Sequence, residues 1–161
     1  MAERPAPAAA PAGRATDDGS EATLLYLVGR VDRVVRQAIG KVVGSRGLSV
    51  NQYTTLSVLD RRSGLSNAQL ARRALVSPQS MNEVLLTLEQ RGLVRRHAHP
   101  AHGRILQTEL TSQGKALLAD CDTEVRQVEA RMVGELTDDD RKALRRALVR
   151  CIRSLHGGLD P

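Results

Sequence analysis

Aromatic side chains are nearly missing. Tyr26 and Tyr53 are the only two in 161 residues, with no Phe and no Trp. The core must therefore be aliphatic, and base stacking on aromatic platforms, the device of single-strand binders and aromatic sheet readers, is a poor fit. Cysteine is equally scarce. Cys121 and Cys151 form neither a disulfide framework nor a close-spaced metal pair, and they suit a reducing compartment. No uninterrupted apolar segment of about 18 residues is present, and the Ala/Pro-rich start lacks a hydrophobic signal region. A cytoplasmic chain without a membrane span is expected. Nucleotide-binding Gly-rich loops, His-Glu-x-x-His and Gly-x-Ser-x-Gly are also absent, so neither an enzyme nor a cofactor is expected.

What the chain does have is arginine. The formal charge is +6, and 21 of the 24 basic side chains are Arg. The excess is concentrated between Ser66 and Arg104, where six arginines face only Glu83 and Glu89. A guanidinium fork suits phosphate or guanine better than an ammonium does. This distribution favours a polyanionic partner without naming one.

Residues 1–20 are Ala, Pro and Gly rich and read as a disordered tail. Ser20 and Glu21 can open a helix to about Gly44, with Leu24, Leu27, Val28, Val31, Val34, Val35, Ile39 and Val42 at helical spacing. So wide an apolar face needs a partner, from its own core or from a second subunit. Ser49 caps a helix ending near Arg62, Gly64 breaks it, and Ser66 caps another to about Leu75 that should leave Asn67 and Gln69 exposed. Ser77 and Pro78 give the cleanest start signal, a cap followed by proline where its missing N–H costs nothing. That helix runs to about Gln90 with Met81, Val84, Leu85 and Leu88 inward, and Gln79, Ser80, Asn82, Glu83 and Thr87 outward. Gly92 is a C-cap. Leu93 to Leu110 then reads as a basic-tipped hairpin, with Ile105, Gln107 and Glu109 on one face and Leu106, Thr108 and Leu110 on the other. Thr111 caps a helix to about Leu136, in which Gly114 lowers helicity, and Thr137 opens a last helix closed by Gly157 and Gly158.

Two helices flanking a short turn, followed by a hairpin, describe a winged helix-turn-helix that places a helix in the major groove of duplex DNA. The fold expected is mainly α with a small β-hairpin wing. The polar outer face suits base edges, since Asn or Gln pairs with adenine and Glu accepts from cytosine; any surface helix presents a similar face. Candidate DNA-binding residues are Ser66, Asn67, Ser77, Gln79, Ser80, Asn82, Glu83, Thr87, Arg95, Arg96, His99, His102 and Arg104. His97, His99 and His102 could hold a metal, but no nearby Cys or Asp completes the set, and proximity to phosphate with a pH-dependent charge is the sturdier account.

Three stretches carry a family resemblance: LSVNQYTTLSVL, NAQLARRALVSPQSMNEVLLTLEQRGLVRR and ELTSQGKALL. From Leu24 to Leu155 they resemble the MarR family of bacterial transcription regulators, in a single domain over residues 21–160. The resemblance implies a DNA-binding lobe at 49–110, with residues 21–44 and 111–156 forming the interface of a homodimer. It also implies repression by occupancy of a pseudopalindromic double-stranded operator. An aromatic or carboxylate-bearing effector would bind between lobe and dimer helices, where Arg30, Arg33, Tyr53 and Arg62 are candidate lining residues. The wing departs from the family's Asp-Pro-x-Asp-Arg-Arg: here it reads His99, Pro100, Ala101, His102, Gly103, Arg104, so Arg104 lacks its usual acidic brace. Glu83 stands where many members carry a basic side chain. Cys121 and Cys151 are redox switches or small packing residues. The rival readings are a nonspecific architectural DNA binder and a redox- or pH-responsive regulator.

Overall fold

The computed structural model describes residues 22–99 and 102–155, with the side chains of residue 99 and residues 102–104 outside the description. The chain divides into two compact units, residues 1–33 and Val34–Pro161.

In the first unit the described residues are 22–33, where helix α1 (Leu24–Gly44) begins. Its cap is Thr23, whose hydroxyl oxygen accepts the amide of Tyr26 at 3.2 Å. The expected cap at Ser20 lies outside the described residues. Leu24, Leu25, Tyr26, Leu27, Val28 and Val31 are all exposed.

The second unit holds the core. Chain order after α1 is α2 (Val50–Arg61), β1 (Leu65–Ser66), α3 (Asn67–Ala74), α4 (Pro78–Gln90), β2 (Val94–His99), β3 (His102–Leu110), α5 (Ser112–Met132) and α6 (Asp138–Ser154). The caps expected at Ser49, Ser66, Ser77, Thr111 and Thr137 all form, three of them as reciprocal capping boxes with Gln52, Gln69 and Asp140. Val43, Leu56, Leu59, Leu70, Met81, Leu85, Leu88 and Leu93 make a mainly aliphatic core, with Tyr53 packed against it. Ile39 and Val42 pack against it, so the C-terminal part of α1 buries its stripe within this unit.

One sheet feature corrects the hairpin expectation. The sheet has three antiparallel strands in the order β1-β3-β2, since Leu65 pairs with Thr108 and Ser66 with Gln107. Thr108 and Leu110 are buried on the face of β3 expected to carry them, while Leu106, nearer the turn on that same face, is exposed together with Ile105. Between β2 and β3, Val94 lies opposite Leu110, Arg95 opposite Glu109 and Arg96 opposite Thr108.

Three helices end in the same backbone arrangement. After α1, α3 and α4, the amides of Leu48, Val76 and Leu93 reach back to the carbonyls of Val43, Ala71 and Leu88 at 3.0, 3.0 and 2.9 Å. This turn needs a left-handed residue just past the cap. Gly47 and Gly92 supply it after α1 and α4, but after α3 the residue is Leu75, at φ 54°. α5 stops at Met132, earlier than expected, and Arg141 from α6 donates to the freed carbonyl of Val133 at 3.2 Å. α6 buries none of its residues and exposes Leu144, Leu148 and Ile152 on one stripe. The glycines expected to end it lie outside the described residues.

Candidate nucleic-acid interface

Helix α4 is held on three sides. Met81, Leu85 and Leu88 anchor its inner face, and Ser77 caps its start by accepting the Ser80 amide at 3.1 Å while donating to the Ser80 hydroxyl at 2.9 Å. Asn67 ties α3 to it: the Asn67 amide donates to the carbonyl of Pro78 at 3.0 Å. That bond explains why Asn67 is half-buried rather than exposed, and it fixes the angle between the two helices of the motif. Gln69 is spent on its own helix cap, accepting the Ser66 amide at 2.8 Å.

On the outer face Gln79, Ser80, Asn82, Glu83 and Thr87 are all exposed, as the periodicity requires. Leu86 joins them at 42% exposure, a member of this face that apolar counting passes over. Leu75, in the turn before α4, is 79% exposed. Ser66, Asn67 and Asn82 also border a cavity of about 410 Å³ between α3, α4 and the sheet, with Arg96 and Thr108 on its walls. Thr108 Oγ1 and Asn67 Oδ1 are buried there without a protein partner.

The arginines of the lobe divide by task. Arg96 points back onto α4 and pairs with Glu89 through both Nε and Nη2, leaving its side chain only 16% exposed. Arg91 donates to the carbonyls of Gly47 at 2.7 Å and Arg46 at 3.3 Å, closing the loop after α1. Arg95 pairs across the strands with Glu109 at 2.9 Å but stays largely open to solvent. Glu109 also faces His97 Nε2 at 3.5 Å. Much of the basic excess visible in the sequence therefore goes into internal bracing. Arg72 and Arg73 form no ion pair among the described residues. The side chains of His99, His102 and Arg104 lie outside the described residues, as does any arrangement of the three wing histidines.

The candidate effector residues fall in both units. Arg30 lies over the ring of Tyr26, 5.8 Å from its centroid, and Arg33 is exposed. In the second unit the Tyr53 hydroxyl donates to Asp122 of α5 at 2.7 Å. Burial and this bond push the phenol up to about 12. Arg62 lines a polar cavity of about 350 Å³ with Ser66, Gln69 and Gln107. Cys121 is fully buried in the core, and burial pushes its thiol up, away from the reactive thiolate. It behaves as the packing residue of the two readings. Cys151 is exposed on α6. Among the described residues no group of His, Cys, Asp and Glu could hold a metal, and no helix is long and apolar enough to cross a membrane.

Comparison with known proteins agrees with this geometry. A family model described as MarR family matches residues 46–105, the span from the end of α1 into the wing. The HTH-type transcriptional repressor Rv2887 of Mycobacterium tuberculosis is 38% identical over 128 residues, covering 80% of this chain and 92% of the relative. Its crystal structure with salicylic acid superposes with a TM-score of 0.67 at 37% identity, covering 82% of this chain and 98% of that one. Its complex with DNA gives a TM-score of 0.66 at 35% identity, covering 81% and 98%. With the capped helix pair, the wing and this extent of similarity together, the chain belongs to the MarR family of helix-turn-helix transcriptional regulators.

Proposed function

We propose that this chain is a repressor that binds a pseudopalindromic operator as a homodimer, with α4 of each protomer in a major groove and the wing beside it. The observation that carries the reading is the outer face of α4, exposed along its length, polar at every position but Leu86, and rigidly seated by its buried stripe, its cap and the Asn67 bond. The relative crystallised with DNA supports the same use of the motif. Dimerisation is supported by two exposed apolar surfaces, Leu24 to Val34 on α1 and Leu144, Leu148 and Ile152 on α6, which a monomer would leave in water. Two recognition helices then meet half-sites about one helical turn apart. Repression follows by occlusion of the promoter.

The relative crystallised with salicylic acid supports an aromatic carboxylate as the effector class. Such a ligand acts by binding one dimer shape better than the other and so changing the spacing of the recognition helices. Within the second unit Tyr53 is the residue proposed for it, with the Tyr53–Asp122 bond as the contact it would have to exchange or extend.

The test is selection of bound fragments from the source genome by the purified full chain, followed by footprinting with excess competitor DNA. A compact palindromic footprint that survives competition and recedes with added salicylate supports the reading. Protection everywhere, or a monomer by sedimentation at footprinting concentration, overturns it in favour of a nonspecific binder.

A further inference from the structure

The face of α4 opposite its buried stripe is a ridge of Gln79, Glu83, Leu86 and Gln90, spaced four, three and four residues apart. Two of these are unusual on a surface that must approach phosphates. Glu83 is exposed and has no cation partner among the described residues. Its neighbours one turn away are Gln79, Ser80, Leu86 and Thr87, and the Thr87 hydroxyl donates to the Glu83 backbone carbonyl at 3.0 Å, not to its carboxylate. Leu86 is 42% exposed, although Leu85 and Leu88 beside it are fully buried.

A carboxylate brought to duplex DNA is repelled by phosphate unless it meets a hydrogen-bond donor. An apolar side chain gains in a polar groove only where it meets an apolar group. The major groove offers one partner suited to each: the exocyclic amino group of cytosine and the C5 methyl of thymine. Adenine also presents an amino group, but its N7 acceptor sits alongside and repels a carboxylate. Cytosine carries no acceptor on its own groove edge.

We propose that Glu83 and Leu86 fix the operator half-site, Glu83 by accepting from the N4 amino group of a cytosine and Leu86 by packing on the methyl of a thymine. The two residues are separated by about 4.5 Å along the helix, against about 3.4 Å per base step. The two bases therefore lie within two steps of each other. The assignment rests on the operator reading above. It needs nothing from the wing.

The full chain, Glu83→Gln and Leu86→Ala are each used to select from a randomised duplex library. The wild type enriches half-sites containing the cytosine and thymine at that spacing. Glu83→Gln loses about tenfold in cytosine preference and keeps the thymine, while Leu86→Ala does the reverse. In a direct titration, replacing the thymine with deoxyuridine removes only the methyl group. It weakens wild-type binding about three- to fivefold and leaves Leu86→Ala indifferent. Matching thermal melts separate lost recognition from lost fold, as both side chains are exposed. A variant whose base preference is unchanged overturns the assignment of that residue, and wild-type indifference to deoxyuridine overturns the Leu86 contact without any variant. A wild type that enriches no motif overturns the operator reading and the assignment with it; a motif unchanged in both variants overturns the assignment alone.

Discussion

A Cβ built on Gly114 would lie 2.0 Å from the carbonyl oxygen of Leu93. The first turn of α5 passes directly over the start of β2, where that same oxygen accepts the Thr111 amide at 3.1 Å and the Thr111 hydroxyl donates to Gly92 at 2.6 Å. The glycine that looks helix-weakening in the sequence is thus required by a close backbone approach. The helix propensity gained by Gly114→Ala, about 1 kcal/mol, is smaller than the cost of displacing backbone from backbone. A net loss of about 2 kcal/mol is expected in urea melts. A variant as stable as the wild type would mean that α5 does not lie this close to β2.

Leu75 is the counterpart, a side chain where glycine would fit better. Its left-handed backbone costs about 1–2 kcal/mol for an L residue, and its exposed side chain returns little packing energy. Leu75→Gly should therefore be more stable than Leu75→Ala by about 1 kcal/mol, because alanine keeps the strain and glycine removes it. Thermal melts without DNA compare the two directly, and equal melting temperatures would argue against a strained turn.

The Leu75 turn also marks where sequence reasoning reached its limit. Caps and stripes are local signals: Ser77-Pro78, the Ser66 and Gln69 pair, and Met81, Leu85 and Leu88 all read directly as helix starts and buried faces. β1 was not legible, because two residues show no alternation and Leu65–Ser66 becomes a strand only through its pairing with β3. The charge pattern identified a basic lobe but could not reveal that Arg91 and Arg96 turn inward, since their partners lie on other elements. Leu86 is a different case: the helical spacing that sends Gln79 and Glu83 outward carries it to the same face, and its apolar character alone keeps it off a list of polar outward residues.

Arg96 and Glu89 join β2 to α4, and the sequence expectation had placed Arg96 among the DNA contacts. The two roles differ in salt dependence. A phosphate contact lowers the slope of log affinity against log salt by about 1 when removed, whereas a brace lowers affinity at every salt concentration without changing the slope. Arg96→Ala is expected to cost about 1–2 kcal/mol of stability through the broken pair, with weaker operator binding and an unchanged slope. Glu89→Ala should reproduce most of both effects, and the double variant should add little. A slope reduced by one in Arg96→Ala alone would restore it as a phosphate contact.

Tyr53 gives the fold a dependence on alkaline pH. Its phenol is pushed up to about 12, first by burial and then by the bond it donates to Asp122, from about 10 in the unfolded chain. A proton held more tightly by the folded state stabilises it fully below pH 10, and the advantage disappears as pH rises through 12. The half-buried ring is partly screened by water, so the amplitude is a fraction of that for a fully buried phenol. Tyr53→Phe should be less stable than the wild type by about 1 kcal/mol at pH 8, from the lost hydrogen bond. That difference should narrow between pH 10 and 12. Absorbance titration of the phenolates should show a component near pH 12 that the substitution removes. A constant stability difference across that range, or no component near pH 12, would mean that Tyr53 and Asp122 are not bonded in solution.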